Sequence, residues 1–522
     1  MARKALPVFF LTAFASIPAL AQESPNESAP QAETAPQADS PSPQPSDKEQ
    51  PSASEKPETP PATAPAPPAA EPELKGEKKP KVGDVTISGY FRGGFGATVH
   101  QKAPDTFDQS TMMPVPGSHV GGRMSCFALT NPSSLKSKYR LGNECEVWSE
   151  THFKMVTYAG EDGVVSNLHF MPAVYIPTSY LGYAPTGLTS PPDQGWLSTG
   201  ATLGFPVLYV DIENIPWLGG GTAWAGTRYY KRESVYISDF FYWNPSGVGG
   251  GVEDIHLGKD LRLSYGVFAV DGEPTSGGNS SPMPLQIDLG FRNDLQLRGI
   301  RPYKSGEFRV GFQYIADYSD HDDPVTKKSV THSGWGATLQ HVQELLGGDN
   351  KLTFQYGRGG GTGFGTLARF YYPDFSLKHD IAELRMRVVD VLTVQPVPWL
   401  GGQAAFVYQH DKLDNGQTTN WMSAGARLTW APLKNAKLIG EVGWDHVTKS
   451  NGADPQMLTK LTIAPALTTD RGFMSRPEIR VFYTWATWNE TARTAHVDSA
   501  DVYLNTTFLS GSTFGLQGET WF

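Results

Sequence analysis

Alternation of apolar and polar side chains is cleanest at the two ends of the long C-terminal part of the chain. In Val85-Thr86-Ile87-Ser88-Gly89-Tyr90-Phe91-Arg92-Gly93-Gly94-Phe95, the residues Val85, Ile87, Phe91 and Phe95 share one face, while Thr86, Ser88, Tyr90 and Arg92 share the other. The final segment repeats the pattern, with Phe514, Leu516 and Phe522 on one parity and Gln517, Glu519 and Trp521 on the opposite one. A period of two predicts strands. An apolar face suits lipid and a polar face suits a water-filled lumen, and pairing the first strand with the last would leave no open sheet edge in hydrocarbon.

Beyond Leu20 no run of eighteen apolar residues occurs, so an ordinary helical membrane protein is excluded. The stretch from Val85 to Phe522 shows no clear break in composition and is longer than a usual soluble domain. Spanning strands of about ten residues, joined by short and long connections in turn, would divide it into roughly 16 to 20 strands. The fold class expected is all-β, a closed transmembrane antiparallel barrel wide enough to enclose a channel. Composition agrees: 55 Gly, 26 Phe, 21 Tyr and 13 Trp occur in a chain only 39% hydrophobic, as interfacial aromatics and a polar interior require. A secreted all-β protein would share those counts, so the alternation carries the reading. The net charge of -10 gives no basis for a nucleic-acid partner.

The N-terminus assigns the compartment. Arg3 and Lys4 precede an apolar run from Ala5 to Leu20, interrupted by Pro7 and Pro18 and ending in Ala19-Leu20-Ala21. Residues 1–21 therefore read as a secretory signal peptide cleaved after Ala21. Residues 22–83, rich in Pro, Ala, Glu and Ser, bury too little apolar surface to offset ordering entropy and read as a disordered periplasmic arm before the barrel at 84–522. Lys75, Lys78, Lys79 and Lys81 near its end could touch an anionic surface such as peptidoglycan; a solvated linker is the plainer reading. Recurrent prolines and the lack of apolar heptads argue against a coiled coil there. Cys126 and Cys145 are the two cysteines of an exported chain and should form a disulfide, which in the loop-entropy picture is worth roughly 3 kcal/mol. Neither has a second thiol or a histidine at ligand spacing, so no metal site and no cofactor are expected.

Several motifs carry a resemblance. Ser137-Lys138-Tyr139-Arg140-Leu141-Gly142-Asn143-Glu144-Cys145-Glu146 is similar to the first-loop motif of the maltoporin family. Trp224-Ala225-Gly226-Thr227-Arg228-Tyr229-Tyr230 with Arg232, Asp239-Phe240-Phe241-Tyr242-Trp243, and Ser475-Arg476-Pro477-Glu478-Ile479-Arg480-Val481-Phe482 follow in the family's order, completed by Thr513-Phe514-Gly515 and Trp521-Phe522. The aromatic C-terminus itself resembles the signal by which outer-membrane barrels are recognised for assembly. The resemblance covers Val85 to Phe522 and leaves the arm outside; sucrose porins of this family also carry an arm, but a coiled-coil-like one. It implies an antiparallel barrel of about eighteen strands, a homotrimer in the outer membrane of a Gram-negative bacterium among lipid and lipopolysaccharide, and a loop folded into each pore. It also implies passage of maltose, maltodextrins or related oligosaccharides along a file of lumenal aromatics, the greasy slide, flanked by charged residues.

Parity and the motifs select the same candidates. Tyr90 and Trp521 fall on the polar face, and Trp148 is the one aromatic among Glu144, Glu146, Glu150, His152 and Lys154. A sugar ring stacks its apolar face on such rings while its hydroxyls need donors and acceptors. The resemblance adds Phe241, where the family has a tyrosine, and Trp196 in the loop 191–200, for which a place in the interfacial belt is the alternative. Ser234 replaces an acidic residue nearby. For the polar track, Arg92, Arg140, Glu150, Arg228, Arg232 and Asp239 fall on motif-matched or lumen-parity positions, against the alternative of a generic charged pore wall. Asp349 stands where a phenylalanine is expected and Met474 where a tryptophan is expected, with Phe473 beside it on the other parity. Two other classes are weighed: a general diffusion porin, which would lack an ordered aromatic file, and a barrel enzyme. The chain holds no G-x-S-x-G and no H-E-x-x-H, and no catalytic residue is assigned.

Overall fold

The computed structural model describes residues 80–99, 107–108, 113–114, 126–131, 134–135, 139–177, 202–271, 289–317, 321–322, 329–330, 333–364, 382–413, 415–494 and 509–522. The signal-peptide segment, nearly all of the N-terminal arm and Trp196 lie outside them. The barrel strands are β1 (Val85–Val99), β2 (Glu146–Ala159), β3 (Val165–Pro177), β4 (Thr202–Ile215), β5 (Gly221–Arg228) and β6 (Gly247–His256). They continue with β7 (Arg262–Asp271), β8 (Leu289–Tyr303), β9 (Gly306–Asp317), β10 (Gly334–Leu345), β11 (Gly348–Gly359) and β12 (Ala382–Val397). The last six are β13 (Leu400–Lys412), β14 (Thr418–Leu433), β15 (Ala436–Lys449), β16 (Gln456–Thr468), β17 (Glu478–Trp488) and β18 (Ser510–Trp521).

Each strand pairs antiparallel with its neighbour in the chain, and β18 returns to pair with β1, so the sheet is a closed 18-stranded barrel. Closure matters because strand edges in hydrocarbon would leave N–H and C=O groups without partners. Short turns gather at one end, among them the two-residue Leu346-Gly347 turn, where both residues adopt positive φ (50° and 74°). That geometry matches the twist of the flanking strands and places glycine where a left-handed backbone is required. Longer connections emerge at the other end.

Burial follows the alternation in an inside-out sense. On β17, Arg480 is 1% exposed while its neighbour Val481 is 56% exposed. Throughout β16 and β17 the hidden side chains include Lys460, Thr462, Glu478, Arg480 and Thr484, whereas Leu461, Ile463, Ile479, Val481 and Tyr483 stand out. A water-soluble fold would reverse this; the pattern is that of a barrel in a membrane.

Several sectors depart from the rule where a connection packs on the inner wall, and the clearest is on β12 and β13. Val389 and Val391 of β12, with Ala405 and Val407 of β13, face inward and are buried against Val235, Ile237, Tyr242 and Trp243 of the connection between β5 and β6. An inward-folded connection covers the wall here, so its inner side is apolar. Strict polar-in parity fails there for that reason.

The outward positions of β17 yield a prediction. Val481→Arg should destabilise the barrel by about 2–4 kcal/mol where the side chain meets the bilayer midplane, measured by denaturant titration in lipid vesicles. A loss under about 0.5 kcal/mol would mean that this face is not in hydrocarbon.

Candidate functional site

Among the described residues, parts of two connections fold into the lumen. The first, residues 229–246, contains a short hairpin of Glu233–Val235 against Phe240–Trp243, joined through Tyr236, Ile237, Ser238 and Asp239. Its apolar side packs on β12 to β14 as described, with the Phe240 ring edge-on to Trp421 at 5.1 Å. Polar anchors fix the rest: the Ile237 N–H donates to Gln403 Oε1 (3.0 Å), and Gln355 Nε2 donates to the Tyr242 carbonyl (2.9 Å). Glu233 sits among Arg309 (2.8 Å), Lys351 (3.0 Å) and Arg298 (3.6 Å). Burial alone would push its carboxyl up, but those three cations together hold it below the usual carboxylate range.

From the connection between β1 and β2, residues 126–131 and 139–145 are joined by the Cys126–Cys145 disulfide, whose Cα atoms lie 5.9 Å apart. The Tyr139 ring lies flat over Gly425 and Gly443, where an added Cβ would come within 2.0 and 2.1 Å of it. Its hydroxyl meets Ser423 Oγ at 2.9 Å. Lys460 donates to the Tyr139 and Leu141 carbonyls and pairs with Glu441 at 3.0 Å, while the Leu141 N–H donates to Glu441 Oε1 at 2.9 Å. The two connections meet where the Arg140 N–H donates to the Ile237 carbonyl (2.9 Å).

Tyr90, Trp148 and Trp521 face this lumen from three adjacent strands, β1, β2 and β18. Tyr90 is opposite Trp521 in register, and their rings stack with centroids 6.5 Å apart at 21°. Trp148 is opposite Arg92, one inward position further along, and its ring meets Tyr175 edge-on at 6.1 Å. Tyr236, from the hairpin turn, stands edge-on to Trp521 at 6.4 Å, and the Arg476 guanidinium lies 4.7 Å from the Trp521 ring. Phe241 is half-buried, with the Arg232 guanidinium 5.1 Å from its ring.

The charged candidates are knitted into ion pairs. Arg92 reaches Glu146 (2.6 Å), Glu144 (3.0 Å) and Asp239 (3.1 Å), the last held at a positive φ of 55°. Arg140 reaches Glu144 (2.6 Å) and Glu519 (2.9 Å). Arg232 stacks on the Tyr229 ring at 3.5 Å, and the Tyr229 hydroxyl donates to Glu150 at 2.9 Å. Burial and then the Glu150 charge push the Tyr229 phenol well above its ordinary value, so it remains a donor. Arg228, the last residue of β5, is paired with Glu253 (2.7 Å) and stacked on Tyr209 (4.6 Å). Met474 packs partly buried on the inner core beside Phe473, which is buried edge-on to Tyr236; Asp349 occupies the second position of β11.

Glu519 is the hub that the sequence reading leaves out of the site. It accepts from the Tyr90 and Tyr236 hydroxyls (2.8 Å each) and pairs with Arg140 (2.9 Å), Arg476 (2.8 Å) and Arg480 (3.3 Å). Inward parity marks Glu519, but Tyr236 and Arg476 come from connections where parity says nothing. The wall thus offers planar rings flanked by fixed guanidinium, carboxylate and phenol groups.

Comparison with known proteins supplies the frame. The sequence model of the LamB porin family matches residues 85–522. Among solved structures the chain is similar to OccAB1 of Acinetobacter baumannii, at 11% identity and a TM-score of 0.42 over 84% of this chain and 97% of that one. It is also similar to OpdK of Pseudomonas aeruginosa, solved with vanillate, at 10% identity and a TM-score of 0.42 over 84% and 99%. The outer membrane channel DcaP of Acinetobacter baumannii matches at 10% identity and a TM-score of 0.38 over 86% and 100%.

Two predictions follow from the anchoring of the connections. Gly443→Val should expel Tyr139 from its seat, raise single-channel conductance and expose residues 126–145 to proteases; unchanged conductance and protection would show the glycine floor to be dispensable. Because the folded Glu233 carboxyl titrates below its unfolded value of about 4.3, its anchoring is complete above that pH and is lost only as pH falls through the lower folded value. Open-channel current should therefore stay quiet down to about pH 4, and loop noise arising between about pH 5 and 7 would contradict this.

Proposed function

Since the chain belongs to the LamB porin family and forms a channel of the outer membrane, we propose that it is a sugar-specific one, passing maltose-series or related oligosaccharides by facilitated diffusion. The observation that carries this reading is the set of three inward rings on consecutive strands, Trp521, Tyr90 and Trp148, bordered by the Arg92, Arg140 and Glu519 network. A pyranose presents C–H bonds on its faces and hydroxyls on its rim. The rings replace water on the faces, while guanidinium and carboxylate groups replace it at the rim. A run of similar weak contacts lets a solute enter without trapping it.

The slide is read as Tyr90, Trp148, Trp521 and Phe241, with Trp196 supplied by a loop of a neighbouring subunit. Arg92, Arg140, Glu150, Arg228, Arg232 and Asp239 form the polar track, to which we add Tyr236 and Glu519. The chain is read as an exported homotrimer without enzymatic activity, its residues 1–21 a signal peptide and 22–83 a periplasmic arm.

A general diffusion porin is the second reading. Asp349 and Met474 favour it, because each interrupts the aromatic file expected from the resemblance. Planar-bilayer recordings separate the two: a maltose-series oligosaccharide at millimolar concentration should interrupt ion current through a slide channel and leave a general porin undisturbed. Trp148→Ala and Trp521→Ala should each weaken the block by roughly 2- to 13-fold, the span of an aromatic contact, while preserving conductance. Unchanged sugar affinity in both would remove the slide assignment.

A further inference from the structure

Beneath the stem of the constriction hairpin, at the short-turn end of the lumen, a cavity of about 200 Å³ opens among β6, β7, β8 and β9. Its wall includes Asp254, Asp260, Arg262, Arg298, Arg301 and Glu307. Arg262 and Arg298 share the inward parity of the buried Ser264 and Gln296.

Strand register sets Arg262 directly opposite Arg298, an arrangement of like charges that is destabilising unless something negative lies between them. Of the three acids in the wall, Asp254 and Glu307 are committed elsewhere, and Asp260, among the described residues, makes no ion pair with either arginine. Asp254 is taken by Lys231 (3.0 Å), and Glu307 by Arg309 (2.8 Å) and by the Gly299 N–H (3.1 Å). Arg298 turns to Glu233 (3.6 Å) and to the Lys231 carbonyl (3.2 Å). Arg262 Nη1 meets His256 Nε2 at 2.7 Å and, among the described residues, has no carboxylate in ion-pair reach. The Arg301 side chain is 46% exposed and touches Glu307 only at 3.9 Å. The three arginines and three acids of the wall balance in number, so the positive excess around the cavity comes from Lys259 and Lys304 in the adjoining turns.

Arg298 is fully engaged, its Nε donating to Gln296 Oε1 (3.0 Å), but the forks of Arg262 and Arg301 keep spare donors beside the cavity and fit the planar, bidentate geometry of an oxyanion. We propose that this cavity is an exit subsite for the oxyanion of an acidic saccharide, a carboxylate or phosphate borne on a sugar ring, so that the channel passes charged as well as neutral oligosaccharides. The proposal rests on the sugar-channel reading and adds a second, electrostatic contact after the aromatic one. Being partly open to solvent, it weakens with salt.

Planar-bilayer recordings of the full-length protein would compare a neutral maltose-series trisaccharide with the same trisaccharide oxidised to a terminal carboxylate, each added from the short-turn side. The acidic form should block about tenfold longer at low salt, the advantage expected of one charge-assisted contact. It should shrink towards equality in high salt. In Arg262→Gln/Arg301→Gln, or in the exposed Arg301→Gln alone should the double variant not fold, most of the advantage should vanish while blockade by the neutral trisaccharide is unchanged. Inorganic phosphate should shorten the acidic blockades by competition, and phosphate blockades as long as the saccharide's would overturn the saccharide assignment. Equal residence of neutral and acidic forms, or an advantage that survives both substitutions, would sink the exit subsite alone. Failure of every saccharide to interrupt the current would sink the sugar-specific reading itself.

Discussion

Hydrocarbon offers no hydrogen-bond partner, and that single constraint organises the molecule. Every backbone N–H and C=O at membrane depth must find its mate within the sheet, which is possible for strands only if the sheet has no edge. The pairing of β18 with β1 satisfies the requirement, and the side-chain alternation follows from it. Once closed, the sheet has one face in lipid and one around water, so Val481 and Arg480 can be neighbours in sequence yet meet opposite solvents.

The polar interior raises a problem of its own. Glu519, Arg140, Arg476, Arg480, Glu144 and Arg92 are buried charges, and the desolvation of such groups can cancel much of their mutual attraction. What the network gains is position. Each cation is shared between at least two partners on different strands or connections, which fixes the hairpin and the disulfide-bridged segment relative to the wall and keeps the rings of Tyr90, Trp521 and Tyr236 in one arrangement. Removing one member would leave the others charged and unpaired, a far larger loss than the pair itself is worth.

Legibility in the sequence followed the environment of each segment. At β1, β2 and β18 one face meets lipid and the other meets open lumen or polar groups, so alternation alone gives the inward set that includes Tyr90, Trp148 and Trp521. At β12 the run Val388-Val389-Asp390-Val391-Leu392 gives no such reading, because the hairpin turns the inner wall apolar while Asp390 points outward, taking a hydrogen bond from Asn350 at 2.6 Å. The seat of Tyr139 was hidden for a different reason: two glycines on neighbouring strands, Gly425 and Gly443, look like ordinary small residues until a ring from far upstream is laid across them. Likewise the parity of Glu519 was readable, but its partners Tyr236 and Arg476 lie in connections without a period. Arg92 was read from parity and Arg140 and Asp239 from family motifs, while the ion pairs that join them to Glu144, Glu146 and Glu519 could not be read from spacing.

The three rings of the aromatic wall come from the final, the first and the second strand of the barrel. They become neighbours only when the two extremities of the folded domain meet. An incompletely translated or unsealed barrel would thus be deficient twice over, carrying a raw sheet edge and lacking its lumenal rings. A cell that discards unsealed barrels by their exposed edges would, by the same act, discard every copy unable to conduct its solute.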